Sequence, residues 1–282
     1  MGIKKAILQT LAYYDIFDYP LTSSEIEKYL IGKKPFKEAY IAKVLSHISI
    51  VAFSQGFYFF VGREKIVAIR LEREKISKKK QSKIKKILKY ITWIPTILFI
   101  GVSGSLAMDN ASEDDDIDLF IITKENTLWT SRLIISCVLF VSGNLRRFDD
   151  RHVSDKVCVN MWMDRSHLVF APARQNMYTA REIIQMRVLF NKSETGEKLR
   201  EANTWITKFL PNTHDIPTYK KEIPFTSALY PIEFLAKLGQ IWYMKKHMTR
   251  ETITDGFAAF HPKDYTKDIV RAWKERCIQY GI

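Results

Sequence analysis

Asp116 and Asp118 stand two residues apart, with Ile117 between them. On a strand, that spacing points both carboxylates to one side and the isoleucine to the other. Two neighbouring carboxylates repel each other unless a cation lies between them. Hard oxygen ligands suit Mg²⁺ or Mn²⁺, and Mg²⁺ is commonly held by one or two carboxylates plus substrate phosphates. About ten residues upstream, Gly104-Ser105 closes an apolar run. Glycine lets the backbone approach a phosphate, and serine adds a hydroxyl donor. If "SLAMDN" opens a short helix, its first N–H groups would face the same anion. These residues together describe a metal site whose metal brings a triphosphate. Glu113, Asp114 and Asp115 complete the acidic cluster and read as the solvated lip of the turn.

The pair needs two strands to position it. "TILFIGVSG" (96–104) and "DIDLFIIT" (116–123) are apolar runs of strand length, and "KVCVNMWM" (156–163) is a third. Helices are expected over 127–143, 178–190 and 195–210. The fold class is therefore α+β: a small mixed-sheet core with flanking helices. Upstream, helical spacing over 4–17, 22–30 and 36–48 precedes two short strands around Ser54-Gln55-Gly56. Thr22 and Glu25 fit a capping box. A long helix over 64–92 follows. It carries Lys75, Lys78, Lys79, Lys80, Lys83, Lys85, Lys86 and Lys89. After the linker 211–224, two more helices are expected, with Pro231 an early break in the first and the second over 266–280.

The Gly104-Ser105 pair, the ten-residue gap and Asp116-Ile117-Asp118 resemble the signature of the DNA polymerase β-like nucleotidyltransferase superfamily, in its minimal form. Ala107 and Ala111 fall where small residues recur in that group, Asp109 where glycine is frequent, and Asp115 where serine is frequent. The resemblance implies a small mixed-sheet nucleotidyltransferase core. It also implies transfer of a nucleoside monophosphate from an NTP substrate to an acceptor hydroxyl. Gly104 and Ser105 would bind nucleotide, and Asp116 and Asp118 would hold Mg²⁺ (or Mn²⁺). A third carboxylate is usual on the neighbouring strand. Here Asn160 stands at that place, with Asp155 and Asp164 flanking the strand as substitutes. The first segment, three helices and a hairpin, resembles winged-helix domains in element order.

The reading therefore divides the chain into a winged-helix-like domain (1–62), a basic connecting helix (63–94), a nucleotidyltransferase-like core (95–210) and a helical C-terminal region (211–282). Its alternative is a catalytically impaired relative that senses nucleotide or binds DNA. Lys37, Tyr40, Lys43, Ser46 and His47 would face DNA from the third helix, and the lysine run would track phosphates. Arg146, Arg147 and Arg151 are candidate contacts to triphosphate or acceptor. Tyr178, Arg181, Glu182 and Gln185 share one face of a helix, read as ordinary surface or as a wall of the nucleotide cleft. His152 and His261 are the only histidines near polar clusters, and neither has metal spacing.

The composition agrees with a polyanionic partner. Lys and Arg total 44 against 31 Asp and Glu, a formal net charge of +13, and 46% of the 282 residues are hydrophobic. Disorder of the whole chain is excluded by that core content. The three cysteines form no CxxC pair, and Cys137 and Cys158, in apolar runs, are expected in the core. No secretory signal is visible, and no apolar run reaches membrane-span length. The expectation is a cytoplasmic protein without a membrane partner.

Overall fold

A computed structural model describes residues 2–147, 149–213, 230–245, 252–260 and 265–282. The first elements are helices α1 (Ile3–Asp15), α2 (Ser23–Lys28) and α3 (Glu38–Leu45), then the antiparallel hairpin β1 (Val51–Ser54) and β2 (Phe57–Phe60). The expected capping box starts α2: Thr22 accepts from the Glu25 N–H, and Glu25 accepts from the Thr22 N–H. Ile7, Leu11, Leu30, Ile41 and Phe60 form the centre of this unit's core.

Helix α4 (Lys65–Leu88) leads into the second unit. Its elements are β3 (Ile97–Val102), α5 (Gly104–Ala107), β4 (Ile117–Thr123), α6 (Leu128–Val141), β5 (Val157–Asp164), α7 (Met177–Gln185), β6 (Arg187–Asn191) and α8 (Thr195–Glu201). After α9 (Tyr230–Met244) come β7 (Thr252–Thr254), β8 (Phe257–Ala259) and α10 (Thr266–Gln279). The protein is thus mixed α+β, with a six-stranded sheet in the order β6-β3-β4-β5-β8-β7. The pair β4–β5 is parallel, and every other neighbouring pair is antiparallel. The central strands β3 and β4 are buried on both faces, as their unbroken apolar runs require. Ile100, Leu119 and Ile121 pack to one side of the sheet, and Phe99, Phe120 and Ile122 to the other.

Several expectations are corrected. The helix expected over 178–190 stops at Gln185, and Arg187–Asn191 becomes an edge strand against β3. "RVLF" has the residues of a strand, and sheet pairing overrides the helical spacing. The helix expected over 195–210 is one short α-helix followed by a 3-10 turn over Thr204–Lys208. Pro231 does not break α9. It sits in its first turn, where no intrahelical N–H is missed. The stretch 211–282 is not purely helical, because "TITDGFAA" folds into the β7–β8 hairpin on β5. Most of the expected linker 211–224 lies outside the described residues, as does His261. Cys137 is exposed rather than in the core, because α6 leaves its outer side open, and Cys158 is partly buried. No helix among the described residues is long and apolar enough to cross a membrane.

Two attachments matter for the site. Glu233 of α9 accepts from the Trp129 and Thr130 N–H groups at 2.6 and 2.8 Å, capping the start of α6 with a negative charge. Along α4, Arg73, Ser77, Lys80 and Gln81 lie on one face and all bond to the loop between α5 and β4. Lys80 is only 3% exposed. Its ammonium donates to the Glu113 carbonyl at 2.9 Å, the Asp115 carbonyl at 2.7 Å and Asp155 at 2.8 Å. All three of its protons are therefore used.

Lys80→Ala would leave two carbonyls and a carboxylate without their donor, a loss of about 2–3 kcal/mol. Urea unfolding should show the lower midpoint, whereas Lys78→Ala, on the exposed side, should leave it within about 0.5 kcal/mol of wild type.

Candidate functional site

The site is built where β3 hands over to β4. Past the end of β3, the Ser103 N–H donates to the Asp118 carbonyl at 3.0 Å. Gly104 then takes φ +64°, and a β-carbon there would stand 2.9 Å from Asp118 Oδ2. Both the left-handed backbone and the close approach demand glycine. α5 is a single turn of four residues without a side-chain cap, so the short helix expected after the Gly-Ser pair is present. The loop after it is tied by short bonds. Ser105 Oγ donates to Asp115 Oδ2 at 2.6 Å, and Ser112 donates to Asp115 through both its hydroxyl and its N–H. Asp115 is thus the internal brace of the turn, not part of its solvated lip. Burial pushes its carboxyl up, but the Ser105 and Ser112 donors and nearby Lys80 outweigh that and hold it below the usual range. Glu113 and Asp114 are exposed, as the sequence suggested. Asp109 has φ +56°, which explains why glycine suits that position, and its carboxylate is held by Arg187 and Gln81.

The structure brings Asp116 and Asp118 together. Ligand atoms of Asp116, Asp118 and Cys158 all lie within 4.8 Å of one another, while Ile117 is fully buried behind them. Arg146 reaches Asp116 Oδ2 at 2.5 Å. Asn160, on β5, donates its amide to Asp118 Oδ1 at 2.6 Å. Burial, then the charges of Asp116 and Glu182, push Asp118 up to about 7, with Arg146 opposing. Burial and the same two aspartates push the Cys158 thiol up, so it is no thiolate at neutral pH. The ligand set is therefore carboxylate and amide oxygen, which fits Mg²⁺ or Mn²⁺ and not a thiolate-seeking metal. A buried oxygen supports that fit: Asn160 is 5% exposed, and its Oδ1 has no hydrogen-bond partner.

The flanking acids do not gather here. Asp155 is held by Lys80 and Lys83. Asp164 lies opposite Thr123, at the other end of β4 from Asp118, and receives Ser166 and His167. Of the arginines, only Arg146 joins the site. Arg147 pairs with Asp149, and Arg151 and His152 are exposed.

No family model, no curated protein and no solved structure matches this chain.

The geometry of the site includes Glu182, one of the four residues whose shared helix face suits either ordinary surface or a wall of the nucleotide cleft. Glu182 of α7 presents its carboxylate to the Gly104 N–H. Burial pushes it up to about 7, and the Gly104 bond restrains the rise. Its neighbour Arg181 turns the other way, fully buried over the rings of Tyr13 and Tyr14 at 3.9 and 4.5 Å. Gln185 donates to the Tyr14 hydroxyl at 2.6 Å. The shared face of these residues was visible as spacing. Its packing against the first unit was not, because the partners of Arg181 and Gln185 lie 152 and 171 positions away.

Asp118 gives the metal-free protein a pH signature. An aspartate released from the fold titrates near about 4, and in the fold it titrates near about 7. Between those values the folded state binds a proton that the unfolded state has lost, so stability falls as pH rises. Glu182, raised in the same direction, adds to the slope. Urea midpoints in EDTA should therefore be higher near about pH 5 than near about pH 8, and Asp118→Asn should flatten the difference. An equally steep profile in that variant would place the slope elsewhere.

Proposed function

We propose that the protein is a metal-dependent nucleotidyltransferase that moves a nucleoside monophosphate from an NTP to an acceptor hydroxyl. The observation that carries the reading is the contact of Gly104 with Asp118. It places a glycine-serine turn directly against two same-side carboxylates. In the reaction, the acceptor oxygen bonds to the α-phosphorus. The bond to the β-phosphate oxygen breaks, pyrophosphate leaves with that electron pair, and the acceptor's proton goes to solvent. A bound Mg²⁺ would stabilise the developing negative charge on the phosphate oxygens.

The chain's own residues would do the rest. Asp116 and Asp118 hold the cation side. Gly104 and Ser105 line the phosphate side, once Ser105 Oγ turns from Asp115 to the nucleotide. Arg146, released from Asp116 when a cation takes its place, is free to meet the triphosphate. Asn160 positions Asp118 through its amide.

One observation favours the second reading, a nucleotide sensor. Asn160 is neutral where a third acid is usual, and it has no basic lone pair to take a proton. Incubation with labelled NTPs and Mg²⁺ separates the two: transfer supports the enzyme, and metal-dependent binding without transfer supports the sensor. Asp116→Ala combined with Asp118→Ala should abolish both signals, and unchanged nucleotide affinity in that double variant would remove the metal site from the account.

The acceptor's chemistry has a weaker pointer. Lys75, Lys78, Lys79, Lys85, Lys86 and Lys89 are exposed on and just beyond α4, and Lys37, Tyr40, Lys43, Ser46 and His47 are exposed on and around α3, the helix of the winged-helix-like unit. Lys80 and Lys83 do not belong to that surface as free charges, because both pair with Asp155. We take nucleic acid as the partner of this face. Its binding should weaken about 10³-fold or more between 50 and 200 mM salt if about six phosphates are contacted. A flat salt profile in a filter-binding titration would rule the surface out.

A further inference from the structure

The hairpin of the first unit carries a feature that the acidic site does not use. Val51 pairs with Phe60 and Phe53 with Tyr58, so all four side chains share one face of the hairpin. Val51, Tyr58 and Phe60 pack into the unit's core. Phe53 continues their row past its edge and is 61% exposed. Its ring lies 4.7 Å from the ring of Tyr58. Beside the pair opens a cavity of about 530 Å³, lined also by His47, Ile48, Ser49 and Val51. That volume is within the usual range for a small ligand, about 300–1,000 Å³. No acid is among the residues that line it. The hairpin is tied down here, because Leu21 and Tyr58 exchange both backbone hydrogen bonds, at 2.7 and 3.1 Å.

The helix leading to the cavity alternates cations with rings. Tyr40 and Lys43 on α3 and His47 just past its end follow at one-turn spacing, all exposed. Tyr40 is 50% exposed, and its ring meets that of Phe36 at 6.0 Å. Lys33, Lys34 and Lys37 are exposed just before the helix. Glu38, the acid on α3, is half-buried and takes the Ser23 hydroxyl. His47 Nδ1 stands 2.8 Å from the Lys43 carbonyl, which assigns the proton of the neutral ring to Nδ1 and leaves the lone pair on Nε2.

A duplex does not use such a surface. Its bases are already paired and stacked, and it is held first through its phosphates. The hairpin turn Ser54-Gln55-Gly56 has no lysine or arginine to follow a second backbone. Unpaired bases each present a free π-face, and a basic groove with interleaved aromatic rings holds them with little regard to sequence. We propose that this face takes single-stranded nucleic acid. One base enters the cavity and stacks on Phe53, another stacks on Tyr40, and Lys37 and Lys43 meet the phosphates between. This inference rests on the nucleic-acid reading of the α3 and α4 surface and narrows it to unpaired nucleotides.

The test separates bases from phosphates. A fluorescent strand of about 12 nucleotides is titrated with the full chain and followed by anisotropy, beside its duplex and an abasic strand of equal length and charge. Each probe is made as DNA and as RNA. In at least one backbone, wild type should bind the intact strand about tenfold or more tighter than the abasic strand, and tighter than the duplex. Phe53→Ala should weaken the intact strand by about tenfold and leave the abasic strand unchanged, while Phe53→Trp should keep wild-type affinity. Phe53 is exposed, so the thermal melt of both variants should match wild type. Equal affinity for intact and abasic strands, a preference for duplex, or an intact-strand affinity untouched in the Phe53→Ala, Tyr40→Ala double variant would overturn the stacking site and leave phosphate tracking in place. If no probe binds at low salt, the nucleic-acid surface falls, and the stacking site with it.

Discussion

One ammonium group holds the arrangement together. Lys80 reaches from α4 into the acidic loop and spends its three protons on Glu113, Asp115 and Asp155. Two of its acceptors are backbone carbonyls, so what it fixes is the path of the chain into β4. Arg73, Ser77 and Gln81 repeat the grip on either side. Asp116 and Asp118 can face one another across a few Å only because this loop cannot relax away from repulsion. The densest acidic stretch of a basic protein is thus braced by the most basic helix, from the one side of that helix that is dry.

The brace also explains why the site is strained in charge and not in shape. Asp115 is satisfied by two serines, and Asp155 by two lysines. Asp118 receives a neutral amide, and Glu182 receives a backbone N–H. Those two are the carboxylates pushed up to about 7. Positive charge is placed around the rim of the site and withheld from its centre. Such a distribution favours a mobile cation over a fixed one, as the proposed function would require.

Much of this was legible in the residues. The strand–turn–strand frame, the same-side aspartates, the Thr22–Glu25 cap and the hairpin at Gln55-Gly56 follow from local spacing and turn chemistry. What was not legible depends on distant partners. Lys80 looks like any other lysine of its run until Asp155 is brought to it. Glu182 could be helix surface or cleft wall until α7 is laid near Gly104. Strand β6 reads as a helical continuation because only pairing with β3 tells it otherwise. The β7–β8 hairpin is a different case: Asp255-Gly256 between alternating residues is a local turn signal that the helical reading of that region passed over.

The last described helix has a consequence for how the protein comes into being. α10 does not stay with the sheet that precedes it. Its Trp273 donates to the Gln9 carbonyl at 3.0 Å, its Arg276 pairs with Asp15, and just past its end Tyr280 stacks on Phe60 at 3.6 Å. Cys277 is buried in the same core as Ile7 and Leu11. On the ribosome, the first three helices therefore emerge with one wall of their core absent. That wall arrives only after the whole sheet has been synthesised. The unit made first is among the last to be finished, and its apolar face stays open to chaperones or to wrong partners for most of translation.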